Sequence, residues 1–280
     1  MGPRASRKLG YASLAVTVAV WGTAYPIIDV AERYVSPVAL AALRTLVGGA
    51  VLAAISRRLI INRRTLVAGF INIGAFLILL NLSIVLSPNP SLAAVMIYAQ
   101  PLFTAIATPY VLHRKISGLQ YAGVLIGMAG IGVLTAVDSR GLNMGLLLGL
   151  LGAILWSAGT MYFEKYVASD ATDLVGATAF MSLASTPLVL AFWPLGMYIK
   201  LTLESIVMIV YITLVIQAVG WLTWFYGVRS LGGVRAGAFS MVTPVIAIAS
   251  TALLLGKVLA PTEVAASAAV ILGATLVQLA

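Results

Sequence analysis

The sequence contains no cysteine and only one histidine, His113, among its 280 residues. Without cysteine, the chain can form neither disulfide bonds nor thiolate metal sites. A single histidine in a basic turn has no second imidazole or thiolate with which to hold a metal ion. We therefore expect no metal centre and no cofactor.

Charged residues are also scarce, at 9% of the chain, whereas 61% of the residues are hydrophobic. The mean hydropathy is +1.07. A soluble domain has about 25% charged residues and is about 45–50% apolar. The composition therefore predicts an integral membrane protein, with the lipid bilayer as its surroundings. The net charge of +9 lies in short segments between apolar runs, so we do not expect nucleic acid as a partner.

Ten apolar runs are each long enough to cross the roughly 30 Å hydrocarbon core as a helix. Pro88, Pro90 and Pro261 favour helix starts between neighbouring runs, because proline is tolerated at the first helical position. The alternative to ten separate spans is that the third and fourth runs, or the ninth and tenth, form one long helix. The predicted fold is all-α, with spans at 9–30, 37–56, 65–87, 90–112, 117–137, 143–164, 173–196, 202–227, 234–255 and 261–280.

Lysine and arginine are distributed unevenly between the two sides of these spans. With the N-terminus in the cytoplasm, twelve of them lie in cytoplasmic segments and four in outer segments. Cytoplasmic loops carry an excess of basic residues in membrane proteins. The sequence therefore predicts a multi-pass protein of the plasma membrane with both termini in the cytoplasm.

The hydrophobic pattern of residues 93–134 returns at residues 236–277, 143 positions later. Each copy has an apolar helix with a central proline, then a basic turn and an apolar helix rich in glycine and alanine. A weaker similarity upstream matches Trp21 in the first hydrophobic segment with Trp156 in the sixth. Five spans per half would make the second half enter the bilayer from the opposite side, which is typical of secondary transporters. The predicted halves are residues 1–137 and 138–280.

Several short motifs occur in order along the chain: Trp21-Gly22-Thr23-Ala24-Tyr25-Pro26, Pro37 with Arg44, Asn81-Leu82, Pro101-Leu102-Phe103-Thr104, Trp156 and Pro244-Val245. In this order, and with ten spans, the chain resembles the EamA-type branch of the drug/metabolite transporter superfamily over essentially its whole length. The resemblance implies a central cavity between spans 1, 3, 4, 6, 8 and 9, and it implies export of a small metabolite.

Polar and aromatic side chains within these spans are the candidate substrate-binding residues. An unpaired amide facing lipid would cost kilocalories, which favours a cavity lining for the mid-span amides. The aromatic residues have an alternative interpretation as an interfacial belt or helix packing. Gln217, Trp221 and Trp224 recur at helical spacing and predict one stripe. The candidates are Trp21, Tyr25, Asn81, Tyr98, Gln100, Trp156, Gln217, Trp221, Trp224, Ser240 and Thr243.

Pro101 and Pro244 occupy corresponding positions of the repeat, and each removes one backbone donor. They predict kinks that leave the carbonyls of Ile97 and Ser240 without their usual helical partners. The kinks could act as hinges around a substrate, or they could be static and satisfied by neighbouring helices.

Charged side chains inside the predicted spans are nearly absent. Arg44 is the one basic residue well inside a span, where it could attract a carboxylate or pair structurally with Asp29 or Glu32. The acidic residues all fall at span ends or in turns. Because proton or sodium coupling commonly uses a carboxylate near the midplane, the pattern favours facilitated transport or exchange.

The sequence as a whole predicts a secondary transporter that moves a small neutral or zwitterionic solute, such as an amino acid, by alternating access. A non-transporting scaffold or receptor partner is the alternative. A lipid-modifying membrane enzyme is disfavoured, because such enzymes need clustered acids, histidines or metal ligands. The glycine faces at Gly123-x-x-x-Gly127 and Gly145-x-x-x-Gly149 predict close packing within a monomer, or the seam of a homodimer.

Overall fold

The computed structural model describes residues 7–86, 96–136, 143–170, 172–192, 194, 196–255 and 260–280. Within these ranges the chain forms successive helices, which we number in chain order. They are α1 (Arg7–Ala31), α2 (Pro37–Ser56), α3 (Arg63–Gly69, Phe70–Ala75 and Phe76–Val85), α4 (Ile97–Ala99 and Gln100–Val111), α5 (Gly118–Ala136), α6 (Met144–Tyr166), α7 (Leu174–Leu190), α8 (Leu203–Val210, Tyr211–Val219 and Gly220–Leu231), α9 (Gly233–Ser240 and Thr243–Leu255) and α10 (Pro261–Leu279).

Six helices in the described part of the chain are long and apolar enough to cross a membrane. The shorter apolar helices are Gly118–Val133 and Leu174–Leu190. These segments confirm an all-helical membrane protein, whereas the count of ten spans stays a prediction. The six are Pro37–Ser56, Arg63–Ser83, Met144–Tyr166, Leu203–Leu231, Gly233–Ser250 and Pro261–Leu279.

Local sequence signals set several helix boundaries. Pro37 and Pro261 occupy the first helical positions, as predicted, and the Ser36 side chain caps α2. Asn62 caps α3 by accepting hydrogen bonds from the Arg64 and Thr65 amides at 2.9 and 3.0 Å. Pro88 and Pro90 lie outside the described residues, so the helix start predicted from them stays a prediction.

The ninth and tenth predicted spans are separate helices. The Gln278 amide, at the end of α10, donates to the carbonyl of Arg235 at the start of α9, at 3.0 Å. This contact places the two helices antiparallel, side by side. The alternative of one merged helix is therefore wrong.

The helix pairs have a symmetric pattern if the first five helices are matched in order with the last five. Helix α2 packs on α7, α4 on α9 and α5 on α10, so each of these helices meets its own counterpart. Helix α1 packs on α8, and the matching pair, α6 with α3, is also in contact. The bundle is thus built from equivalent contacts on both sides of the junction between the halves.

Contacts between turns define two ends of the bundle. At the first, the basic end, Arg114 pairs with Glu164, and the Gly233 amide donates to the same carboxylate at 2.8 Å. At the opposite end, the Ser36 amide donates to the Tyr198 carbonyl at 3.0 Å. The described lysines and arginines at the basic end are Arg7, Lys8, Arg57, Arg58, Arg63, Arg64, Arg114, Lys115, Lys165, Arg229 and Arg235, whereas the opposite end has Arg33 and Lys200.

Helices α2 and α7 run in opposite directions between these ends. Ser56 at the end of α2 contacts Asp173 at the start of α7. At the other end, Ser36 at the start of α2 contacts Tyr198, which follows α7. Helix α2 therefore runs from the opposite end to the basic end, and α7 runs back.

Two helices contain π-helical stretches at related positions. The stretches are Phe70–Ala75 in α3 and Tyr211–Val219 in α8. The shift of 143 residues carries residues 70–75 onto residues 213–218, inside the second stretch. A π turn adds a residue to the helix and is frequent at functional sites.

Candidate functional site

Four tryptophans from helices α1, α6 and α8 meet in one buried group, which we call the tryptophan cluster: Trp21, Trp156, Trp221 and Trp224. Their side chains are 9%, 1%, 2% and 0% exposed. The Trp156 and Trp224 ring centroids lie 4.9 Å apart, and the Trp21 and Trp221 centroids 5.3 Å apart. Phe76 of α3 and Tyr98 of α4 also pack on Trp156, at 5.3 and 6.2 Å. The cluster therefore joins residues from both halves of the chain.

Three of the four indole N–H groups in the cluster have no hydrogen-bond partner among the residues that the structure describes. The Trp21 Nε1 donates to the Ile216 carbonyl at 3.2 Å, within the π-helical stretch of α8. Among the described residues, no acceptor faces the buried Nε1 atoms of Trp156, Trp221 and Trp224. Leaving a buried donor unpaired costs about 1–3 kcal/mol. Three such donors in one group therefore indicate a place for polar atoms from a water or a solute.

Gln100 forms a polar group beside the tryptophan cluster. Its Nε2 donates to the Thr104 hydroxyl at 2.9 Å and lies 3.5 Å from the Thr160 hydroxyl. Thr104 in turn donates to Ser157, the neighbour of Trp156, at 2.9 Å. The Gln100 Oε1 is buried and has no partner among the described residues. A Cβ on Gly237 would lie 2.7 Å from this oxygen, so the acceptor of the group faces α9.

The repeat brings Thr243 to the position that corresponds to Gln100. Its hydroxyl is fully buried, and no partner for it occurs in the described part of the chain. Ser240, three residues earlier, donates to the Gly237 carbonyl of its own helix at 2.7 Å. Of these two candidates on α9, Thr243 has the hydroxyl still available for a solute.

Gln217 belongs to a second polar group, between α2, α7 and α8. Its Nε2 donates to Ser182 at 3.2 Å, and Ser182 donates to the Thr45 carbonyl at 3.0 Å. The predicted stripe is divided here, because the π-helical stretch ends at Val219 and changes the angular spacing between Gln217 and Trp221. The structure therefore brings the Trp221 ring onto Trp21, whereas the Gln217 side chain faces α2 and α7.

The remaining candidates lie around these groups. Asn81 is half-buried, and its amide donates to the Pro37 carbonyl at 3.3 Å. Arg44 is 8% exposed and lies on α2 beside Thr45. The side chain of Tyr25 lies outside the described residues.

Pro101 and Pro244 each stand second in a new helical segment. A 3-10 turn, Ile97–Ala99, precedes the segment Gln100–Val111, and a two-residue turn precedes Thr243–Leu255. The interruption is therefore a helix break at related positions in both halves. Pro101 has no N–H to donate to the Ile97 carbonyl, which accepts instead from the Gln100 amide at the end of the 3-10 turn.

Sequence reasoning missed Asn72, which is fully buried in the π-helical stretch of α3. Its Nδ2 donates to the Ala68 carbonyl at 3.0 Å, whereas its Oδ1 has no partner among the described residues. A Cβ placed on Gly159 would lie 2.7 Å from the Asn72 Cγ, so α3 and α6 meet closely here. An amide in the middle of an apolar run was the signal that could have identified it.

The buried polar side chains of the described residues include no carboxylate. These residues also contain no group of acids and histidines that could hold a metal ion. The chemistry that the site offers therefore consists of indole donors, amide and hydroxyl oxygens, and aromatic faces.

Comparison with known families and proteins gives consistent matches along the whole chain. The family model described as EamA-like transporter family matches residues 8–136 and again residues 143–279. A crystal structure superposes with a TM-score of 0.79 over 98% of both chains, at 19% identity. At this level of identity the likeness shows the fold alone.

Two similar proteins carry descriptive names. A protein of Salmonella typhimurium named "Probable amino-acid metabolite efflux pump" is 26% identical over 287 residues, which cover 96% of this chain and 94% of that protein. A Bacillus subtilis protein named "Uncharacterized transporter YvbV" is 26% identical over 254 residues, covering 86% and 82%.

Proposed function

Because the chain belongs to the EamA-like transporter family, it is a membrane transporter, and we propose that it exports a small zwitterionic, amino-acid-like metabolite by alternating access. The observation that carries this proposal is the set of buried donors and acceptors on α4, α6 and α8 that have no partner among the described residues. Polar atoms buried in this way are usually satisfied by a water or a ligand.

The unpaired groups fit a zwitterion. The indole N–H groups of Trp156 and Trp224 are donors suited to a carboxylate, and the Gln100 Oε1 is an acceptor suited to an ammonium group. Aromatic faces of the cluster can hold an ammonium or an apolar side chain. A solute with a net charge would lack a buried counter-charge in the cluster, which favours a neutral or zwitterionic solute.

The symmetry of the contacts supports a two-part transport mechanism. We propose ten spans arranged as inverted repeats, residues 1–137 and 138–280, with both termini in the cytoplasm. The opposite directions of α2 and α7, and the π-helical stretches at related positions, support this arrangement. In such repeats, one half moves against the other around a fixed central site.

The two ends of the bundle supply the gates. In the structure, Arg114, Glu164 and Gly233 hold the basic end together. At the opposite end, the Lys200 amide donates a hydrogen bond to the Tyr34 carbonyl at 2.7 Å, and this contact holds the two segments together. In the proposed cycle these contacts break one end at a time, so the cluster is open to one side only. Release at the opposite end corresponds to export.

Counterflow in proteoliposomes tests the proposed solute. Vesicles are loaded with unlabelled amino acids, organic acids, amines or sugars, and uptake of a labelled amino acid is measured with and without a pH gradient. Gln100→Ala is the site variant. Gln278→Ala is its matched control, because that glutamine also has an unpaired buried Oε1 but lies at the end of α10.

We expect uptake only against zwitterionic or neutral solutes, a large loss in Gln100→Ala and normal uptake in Gln278→Ala. Uptake that persists after the gradient is collapsed would agree with facilitated transport or exchange. Counterflow driven only by organic acids or amines would contradict the proposed solute. Equal loss in both variants would contradict the site, and no counterflow with folded, inserted protein would favour a non-transporting scaffold.

A further inference from the structure

A cleft of about 360 Å³ lies at the basic end, between the turn that joins α2 to α3 and the end of α6. A volume of this order is typical of sites for small molecules. None of its lining residues belongs to the tryptophan cluster or to the Gln100 group. The cleft is lined by Ile60, Asn62, Arg63, Arg64, Thr65, Tyr166, Val167 and Asp170.

The lining of the cleft carries an excess of positive charge. Arg64 and Asp170 form an ion pair whose side chains are 55% and 54% exposed. This pair leaves the charge of Arg63 as the net charge of the lining. Arginine presents several N–H donors in a planar fork that matches the oxygens of a phosphate group. The cleft therefore suits a phosphate better than a cation.

Exposed apolar side chains flank the cleft. Ile61, between the lining residues Ile60 and Asn62, is 67% exposed, and Phe70, two turns along α3, is 38% exposed. A basic pocket beside an apolar helix surface is the arrangement in which membrane proteins hold a lipid headgroup and its acyl chains. Inorganic phosphate has no apolar part that could contact these exposed side chains.

We propose that this cleft binds the phosphate of an anionic phospholipid from the leaflet at the basic end. Arg63 contacts the phosphate, and the acyl chains lie along Ile61 and Phe70. The bound lipid joins the α2–α3 turn to the end of α6, which belong to different halves of the chain. The site is independent of the solute that the transporter carries, so the two proposals fail separately.

The test compares the full-length protein in mild detergent with short-chain phosphatidylglycerol, short-chain phosphatidylcholine and inorganic phosphate. Binding is measured by native mass spectrometry and by the shift of the thermal unfolding midpoint. The site variants are Arg63→Gln and Arg63→Lys. Lys115→Gln is the control, because it removes one positive charge from an exposed residue at the same end, outside the cleft.

We expect phosphatidylglycerol to bind more tightly than phosphatidylcholine, with about fivefold weaker binding in Arg63→Gln, as for one basic residue near a membrane surface. Arg63→Lys should retain part of the affinity, and Lys115→Gln should leave it within about twofold. Equal binding of both lipids, or an unchanged affinity in Arg63→Gln, overturns the proposal. Inorganic phosphate that binds as tightly as phosphatidylglycerol, with the same dependence on Arg63, overturns the lipid assignment.

Discussion

The indole rings of Trp21 and Trp156 meet edge to face, with their centroids 5.7 Å apart. The hydrophobic pattern of the sequence pairs these two residues, which lie on α1 and α6. In the proposed repeats the two rings are counterparts, and their contact lies at the junction of the two halves. Movement of one half against the other must change the packing of these two rings.

The two rings differ in their hydrogen bonds, and this difference gives a first prediction. Trp21→Phe leaves the buried Ile216 carbonyl without its donor and should lower the free energy of unfolding by about 1–3 kcal/mol. Trp156→Phe leaves a similar cavity in the core but removes a donor that has no partner in the described chain, so it should cost less stability than Trp21→Phe. Loss of the Trp156 indole N–H should raise the KM of counterflow about tenfold, as expected for one hydrogen bond to a charged group of the solute.

Thermal unfolding and counterflow kinetics on both variants check this prediction. A Trp156→Phe protein with normal KM would show that its N–H does not bind the solute. Equal losses of stability in both variants would show that Trp156 acts only in packing.

The contact between α5 and α10 gives a second prediction. A Cβ on Gly273 would lie 2.4 Å from the Gly123 carbonyl oxygen and 2.4 Å from the Gly127 nitrogen. Backbone atoms cannot move aside as a side chain can, so Gly273→Ala should destabilise the protein by about 1–3 kcal/mol. The glycine face of Gly123 and Gly127 is thus covered inside the chain, and a homodimer seam would need another surface.

Gly132→Ala on the same helix α5 is the matched control. A Cβ there meets nothing within 4 Å, and alanine favours helix over glycine by up to about 1 kcal/mol. Unfolding in detergent followed by circular dichroism should show loss of stability in Gly273→Ala and none in Gly132→Ala. Similar stability of the two variants would disprove the close approach.

The carboxylate of Glu164 gives a third prediction, about the gate at the basic end. Its side chain is 11% exposed and holds both Arg114 and the Gly233 amide. Glu164→Gln weakens both contacts and should open that end more often. Because the chain has no cysteine, one cysteine in place of Ser157 can report access to the site.

The rate at which an impermeant thiol reagent modifies Ser157→Cys from the basic end should rise roughly fivefold in Glu164→Gln, equivalent to about 1 kcal/mol. Lys115→Gln, which changes an exposed neighbour of Arg114, should leave the rate unchanged. Equal rates in all three proteins would exclude Glu164 from the gate.

Asp173, at the start of α7, gives a prediction about acid stability. Burial raises the pKa of its carboxyl, but hydrogen bonds from Ser56 and from the Gly176 and Val175 amides, together with Arg58, lower it below 3.8 overall. The folded state therefore binds this proton less tightly than the unfolded state. The stabilisation is complete above the unfolded pKa and is lost as the pH falls through the lower folded pKa.

Asp173→Asn should remove this part of the acid dependence while it retains a side-chain oxygen to cap α7. Unfolding midpoints measured between pH 6 and about pH 3 check the prediction. If the wild-type protein and the variant lose stability in parallel over that range, Asp173 does not contribute.

Much of the fold could be read from the sequence because the bilayer permits few solutions. A spanning segment must satisfy its own backbone hydrogen bonds and needs about 20 apolar residues, so apolar runs are long and easily found. Pro261 marked a helix start for the same local reason that proline does in water, and Pro37 holds the same position in α2. The predicted span 173–196 was too long, because apolar residues continue past the end of the helix at Leu190.

The four tryptophans of the cluster were all among the candidates, but their mutual contacts could not be read from spacing. A π-helical stretch separates Gln217 from Trp221, and its hydrogen-bond pattern leaves no mark in hydropathy. Asn72 was missed although, like Asn81, it is an amide within an apolar run; that signal marks a buried position, but only the packing shows that the Asn72 Oδ1 has no partner among the described residues.

The sequence by itself determined the class of protein and most helix positions, because these depend on composition and on periodic hydrophobicity along one dimension. Only the tertiary structure decided which buried polar atoms have partners. Trp21 has an acceptor and Trp156 has none among the described residues, yet both are tryptophans in related positions. A hydrogen bond depends on the distance and angle between atoms far apart in the chain, and only the packing of the helices sets those.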